Sequence, residues 1–372
     1  MYIYKNPDFE FFFRRAKLRL RRAGRSLALA TFTAILAYPL AYAGGAGSSA
    51  AEFLRLGYGT RALGMGETFT AVSDDAAALY YNPAGLAYPA VSQPNAGAFE
   101  ATLTESLQVQ DITMTQGGFV ARPWGLSVTR LDYGKLEGRS QETAAPESSF
   151  GASDMAVSFS GAHRLEDYNV SVGMSARYIS QTIATFHASA YAADFGVLKR
   201  MERLPVSFGA SVSNLGTPVK FVSQSAPLPM TVSLGAAYGM TPKFPHALSL
   251  QIDLPRDSGP VMRLGFEYAG FGPLALRAGY RTYAGNQRAA IVGGQLGQTY
   301  SGISGFYGFF MGVGLRTKWG NLDYAMQPYG DLGLENRISI NVRFGLRRPK
   351  AQKVERAEPA PERIYSSGGG GS

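Results

Sequence analysis

The sequence predicts an all-β chain built as a fourteen-stranded antiparallel transmembrane β-barrel. Three observations carry this. Apolar and polar residues alternate with a period of two through most of the chain. The alternating segments number fourteen, an even count, and each is about ten residues long, the span a tilted membrane strand needs. The breaks between them are unequal, some tight and some long, as on the two rims of a membrane barrel.

The clearest alternation is near the end, where Ile338, Ile340, Val342 and Phe344 oppose Arg337, Ser339, Asn341 and Arg343. Candidate strands fall at 97–107, 111–121, 124–133, 154–163, 169–179, 189–198, 205–213, 230–239, 247–254, 261–269, 273–281, 309–318, 320–326 and 337–346. In the tenth, Met262, Leu264, Phe266 and Tyr268 oppose Arg263, Gly265 and Glu267. In the eleventh, Leu274, Leu276, Ala278 and Tyr280 oppose Arg277, Gly279 and Arg281. Tight turns are expected at Pro123 and Gly270–Gly272, and long Gly/Ser/Pro/Thr-rich loops near 134–153, 214–229 and 282–308. A soluble sandwich would alternate in the same way. Tyrosines near strand ends (Tyr133, Tyr178, Tyr238, Tyr268, Tyr280) favour an interfacial girdle and therefore lipid.

Residues 1–43 read as a secretory signal peptide. A basic region from Arg14 to Arg25 precedes an apolar run from Ser26 to Leu40, then Ala41-Tyr42-Ala43 as a cleavage site. Residues 44–95 have no strand pattern. Asp74 to Tyr81 reads as a short helix with Ser73 or Asp74 as N-cap. Asn82-Pro83-Ala84-Gly85 ends it, the proline disfavouring a helical Asn82 and the glycine permitting a reversal. The glycine-rich lead-in from Gly57 to Gly66 lacks phosphate-loop spacing and suits tight backbone packing. Residues 347–367 read as a disordered charged tail and 368–372 as a linker remnant.

The formal charge of +9 is concentrated at the ends, because residues 44–346 carry 22 basic and 22 acidic side chains. A nucleic-acid footprint would lie on the folded body, so no nucleic-acid partner is expected. The absence of cysteine excludes disulfides and thiolate chemistry. The three histidines, His163, His187 and His246, are not at metal-ligand spacing, and no nucleophile with its base can be assembled. No enzyme, cofactor or metal is expected.

Four stretches carry a family resemblance. They are Arg61-Ala-Leu-Gly-Met-Gly66 followed by Thr70 to Leu86; Asn214 to Phe221 with Pro227-Leu-Pro229; Leu274 to Tyr280; and Leu322 to Gly333 running into the last strand. Together they resemble the PorV/PorQ family of outer-membrane proteins, distant relatives of FadL-type fatty-acid transporters. The resemblance implies an outer-membrane barrel (96–346) around an N-terminal hatch (44–95) that contains the short helix. The family's Asn-Pro-Ala motif maps onto Asn82, Pro83 and Ala84. Such barrels usually end on an aromatic residue, whereas Phe344 is followed here by a long tail.

The candidate functional residues are therefore the hatch motif, Asp74, Asp75, Asn82, Pro83, Ala84 and Gly85, and the expected lumen-facing charges Arg263, Glu267, Arg277, Arg281, Arg316 and Arg343. Asp74 and Asp75 fit helix capping better than a metal or acid pair. The lumen charges fit a mutually satisfied network or a carboxylate-binding patch for an acyl ligand. The expected partners are outer-membrane lipid, with secreted cargo or secretion-machinery subunits for a PorV-like, type IX role. The alternative is a hydrophobic ligand for a FadL-like uptake channel. The few apolar residues in the long loops favour the first.

Overall fold

The computed structural model describes residues 47–88, 99–108, 112–139, 146–201, 203–241, 244–282, 308–329 and 333–345. The signal-peptide and tail expectations, and most of the 282–308 break, lie outside the described residues.

Alternation produces a closed barrel of fourteen antiparallel strands. In chain order the first seven are β1 (Phe99–Leu107), β2 (Thr113–Ala121), β3 (Trp124–Gly138), β4 (Ser148–Leu165), β5 (Val170–Ile183), β6 (Phe186–Arg200) and β7 (Val206–Gly216). A small hairpin, β8 (Val219–Phe221) with β9 (Gln224–Ala226), interrupts them. The wall continues with β10 (Thr231–Thr241), β11 (Phe244–Pro255), β12 (Val261–Phe271), β13 (Leu274–Arg281), β14 (Phe309–Arg316), β15 (Gly320–Pro328) and β16 (Leu334–Phe344). Neighbours in sequence are neighbours in the wall. β10 pairs with β7 across the hairpin, and β1 closes on β16 with Leu103 opposite Ile340.

The register puts one face of every strand outward, and that face is apolar. Leu103, Phe159, Leu250, Met262 and Ile340 are all more than half exposed. The inner face is polar or small and buried: Gln116, Ser160, Arg177, Glu267, Arg277 and Arg337. A protein with a polar buried interior and a continuous apolar exterior inverts the usual soluble pattern and suits a hydrocarbon solvent. Tyr178, Tyr238 and Tyr280 point outward, but Tyr133 turns in and donates its hydroxyl to Asp154 Oδ2 at 2.8 Å, so it belongs to no girdle.

The two rims differ as the breaks suggested. One carries the short connections after β2, β4, β6, β10, β12 and β14, together with both of the chain's tryptophans. Trp124 stacks on Phe159 at 5.7 Å, and Trp319, 69% exposed, sits in the turn before β15. The other rim is uneven. The expected long loop at 134–153 is largely strand, since β3 runs to Gly138 and β4 begins at Ser148. The 214–229 break holds the β8–β9 hairpin. β3 to β6 therefore stand taller than the rest, at 15, 18, 14 and 15 residues.

Inside lies the N-terminal segment, with two helical pieces, α1 (Thr60–Gly64) and α2 (Ala78–Tyr81). A 3-10 turn, Glu52–Arg55, precedes them and another, Pro83–Ala87, follows. The segment runs from the uneven rim, where Ala50 N–H donates to Pro227 O, to the short-turn rim, where Arg122 donates to Gly85 O.

Candidate functional site

The glycines of the segment and wall let the two backbones touch. A Cβ on Gly279 would lie 2.1 Å from Gly66 N, and one on Gly173 would lie 2.3 Å from Ala84 N. Neither position admits a side chain without displacing main chain. Gly66 also takes a positive φ of 64°, a region where glycine is unstrained.

Asn82 holds the motif together. Its backbone is extended (φ −161°), which ends α2 before Pro83. Its Nδ2 donates to Thr70 O at 2.8 Å and to Val197 O of β6 at 3.0 Å, and its Oδ1 accepts from Ala84 N at 3.1 Å. One amide thus joins the segment to itself and to the wall. Pro83 opens the 3-10 turn, where a missing N–H is harmless. Ser171 of β5 donates to Ala84 O at 2.8 Å. Gly85 serves close approach rather than a positive-φ reversal, because a Cβ there would lie 2.0 Å from Ser73 O.

The aspartates do not cap α2 as expected. Its N-cap is Ala77 with no side-chain bond, although Asp75 Oδ1 accepts from Ala77 N at 2.9 Å in the turn before it. Their partner is Arg61 of α1, whose Nη1 lies 2.6 Å from Asp74 Oδ1 and 2.8 Å from Asp75 Oδ2. Burial pushes Asp75 up to about 6, with Asp74 and Glu100 adding to it and Arg61 opposing. Arg61 went unrecognised as a site residue. The signal available was a lone cation in an apolar, glycine-rich stretch 13 residues before two adjacent acids.

The same guanidinium reaches the wall. Arg61 Nε donates to Glu267 Oε2 at 2.8 Å. Glu267, fully buried, also accepts from Arg277 Nε at 2.7 Å and Arg316 Nη2 at 2.8 Å, and Arg277 continues to Asp323 at 2.6 Å. A second cluster joins Arg263 to Glu67 and to Asp253, with Arg281 Nη1 3.3 Å from Glu67 Oε2. Burial raises the Glu67 carboxyl, but Arg263, Arg281 and Arg337 together hold it below its ordinary value. A third sets Glu100 between Arg343 at 3.4 Å and Arg122 at 3.5 Å. The six expected lumen charges thus divide among three ion-pair clusters, each also touching the N-terminal segment or its neighbours. Every guanidinium named already has a carboxylate, which disfavours a standing patch for a ligand carboxylate.

Elsewhere the inner wall is different. Below the uneven rim, Met114, Leu131, Ile179, Ala188 and Ala190 of β2 to β6 form an apolar cluster with Val219 and Leu228. Phe53 and Leu54 of the segment fill it. Arg177, paired with Asp194 at 2.7 Å, lies on the inner face of β5 two residues before Ile179.

No protein-family model matches the chain, and no curated protein matches it by sequence. Solved structures share its fold. The P. putida toluene transporter TodX superposes with a TM-score of 0.52 at 13% identity, covering 78% of this chain and 99% of that one. The CymD monoaromatic hydrocarbon channel gives 0.51 at 12%, covering 78% and 98%. At such identities the likeness is one of fold: a closed fourteen-strand β-barrel.

Proposed function

We propose that this protein is a non-enzymatic outer-membrane barrel of FadL-like type that takes up hydrophobic small molecules, with residues 47–88 acting as its hatch. The observation that carries the reading is the apolar cluster below the uneven rim. Among the described residues it has more members than any other buried apolar cluster in the lumen, the others being smaller, such as Leu63 with Phe310 and Ala325, and the chain's own Phe53 and Leu54 occupy it as a bound solute would. The apolar exterior supports residence in a membrane, and the fold shared with a toluene transporter and a monoaromatic hydrocarbon channel supports the solute class. Most of the apolar groups come from the wall and the segment, with Val219 and Leu228 added by the 214–229 break, so the scarcity of apolar residues in the loops does not count against this reading.

The test is equilibrium binding of labelled toluene and a labelled fatty acid to detergent-purified protein. Phe53→Ala opens apolar space of the kind that binds benzene-sized solutes, and binding should strengthen. Ile179→Asn should weaken it. Failure of the parent and both variants to bind either probe would remove the reading.

The taller β3–β6 sector favours a second role, in which the rim holds an exported protein. Its strands exceed the roughly ten residues needed to cross a bilayer and project beyond β2 and β7. Deleting Leu136–Ser149 should then abolish surface display of the cargo, and unaltered display would dismiss this role.

A further inference from the structure

Beside the apolar cluster lies a second chamber of opposite character. A cavity of about 260 Å³ sits between the N-terminal segment and the inner faces of β7 and β10 to β13. Its lining runs from Ser258 and Thr282 at the uneven rim down to Thr70 and Glu67 on the segment. The volume equals that of roughly nine liquid waters. That is room for one substituted ring, and not for a long acyl chain.

The lining restricts what could fill it. Hydroxyl and amide groups make up much of it, from Thr70, Tyr81, Ser211, Thr231, Ser233 and Gln251. Leu54, Val261, Pro255 and two tyrosine rings are the apolar surface, and Thr231, Ser233, Gln251 and Tyr81 already have protein partners, so a hydrocarbon would leave the Ser211 and Ser258 hydroxyls without partners. An ion fits no better. The three guanidiniums present are already held by acids: Arg55 by Glu52 and Asp257, Arg263 by Glu67 and Asp253, and Arg281 by Glu67. The carboxylates among those lining the space, Glu52, Glu67 and Asp253, are engaged in the same pairs, leaving no surplus charge of either sign. The hydroxyls of Ser211 and Ser258 make no hydrogen bond to protein among the described residues and remain available. Tyr80 and Tyr81, with rings at 76° to each other and centroids 4.7 Å apart, add apolar ring surface.

We infer that this chamber is a binding site for a neutral polyhydroxylated ring, a single sugar residue, admitted from the uneven rim. A sugar offers hydroxyls as both donors and acceptors to a lining of the same kind, and C–H faces to the tyrosines. Asp253, paired with Arg263, holds the Ser233 hydroxyl and the Gln251 amide in fixed orientations, so that part of the lining is organised before the ligand arrives. The inference is separable from the hydrocarbon reading, because Leu54 alone is shared and the rest of the two linings differ.

Saturation-transfer NMR and calorimetry on the detergent-purified full chain would test it. The probes are glucose, galactose, mannose and N-acetylglucosamine, with benzoate and toluene as anionic and apolar controls of ring size. At least one sugar should bind, and Ser211→Phe, which fills the space from the wall, should weaken it about tenfold or more. Ser258→Trp, at the mouth, should weaken it too and serves if the first variant does not assemble. Toluene binding should be unchanged in both variants, which separates this site from the apolar cluster. If no sugar binds at tens of millimolar, if the variants that assemble bind as the parent does, or if benzoate competes for the site, the inference is overturned. A free sugar and the terminal residue of a glycan would be distinguished by comparing each sugar with its methyl glycoside and a disaccharide, since only an open mouth accepts the longer ligand.

Discussion

The inner wall of this barrel has two halves that treat the N-terminal segment differently. Along β11 to β16 and β1 it meets the segment chiefly through buried charges, Arg61 on Glu267, Glu67 on Arg263 and Ala76 N–H on Glu100, beside a small apolar contact of Leu63 with Phe310 and Ala325. Along β2 to β6, below the uneven rim, it offers alanines, Leu131 and Ile179 to Phe53 and Leu54. Ion pairs out of water are directional, and removing one partner leaves a charge with nowhere to go. Apolar contact is non-directional, and another greasy shape can replace it. The charged half keys the segment in place, while the apolar half holds its beginning by contacts that a solute could substitute.

The largest expected effect lies in the charged half. Glu267→Gln keeps the shape but leaves Arg61, Arg277 and Arg316 around an uncharged amide, which should cost about 3–5 kcal/mol. The urea midpoint of heat-modifiable migration would measure it, and an unmoved midpoint would break the contrast. Next comes the outer face. In a bilayer, Val342→Arg should cost roughly 2–4 kcal/mol near the midplane. Arg343→Ala should disturb folding much less, because Glu100 keeps Arg122 and the Ala76 N–H. Equal losses would mean the faces had been assigned the wrong way round.

A smaller effect should follow Gly196→Ala, whose new Cβ would lie 2.0 Å from Asn82 Oδ1. Overpacking of this kind costs about 1–3 kcal/mol, and faster proteolysis of residues 47–88 would report it. The smallest belongs to Asp75→Asn. Burial lifts the Asp75 carboxyl to about 6 from 3.8, so its charge opposes the fold. This group's contribution to stability is fully present below the unfolded value and is lost as pH rises through 6. The neutral amide should leave the midpoint at pH 7 unchanged or slightly raised. It should also diminish any gain the parent shows between pH 7 and 5.

The fourteen wall strands were legible because each crosses a solvent that demands apolar residues on one side, and alternation records that demand. Where the demand stops, so does the signal. The tops of β3 and β4, around Leu136–Gly138 and Ser148–Ala152, rise beyond the neighbouring strands and lose the strict pattern, so they looked like loop. The β8–β9 strands, at three residues each, are too short to show a period. Within the site, the charges on alternating strands could be assigned to one face, but their partners could not be named. Arg61 meets Glu267 across 206 residues, and no local rule connects them. Asp74 and Asp75 were misread for a similar reason. Local chemistry suggested a helix cap, and a buried guanidinium from an earlier turn took them instead.

Both tryptophans lie at one end of the barrel, Trp124 opening β3 and Trp319 in the turn before β15. In a bilayer the indole emission of the whole chain would therefore arise at a single leaflet boundary. Quenchers confined to that leaflet would darken it and those in the opposite leaflet would not, so the native protein reports its own orientation without a label.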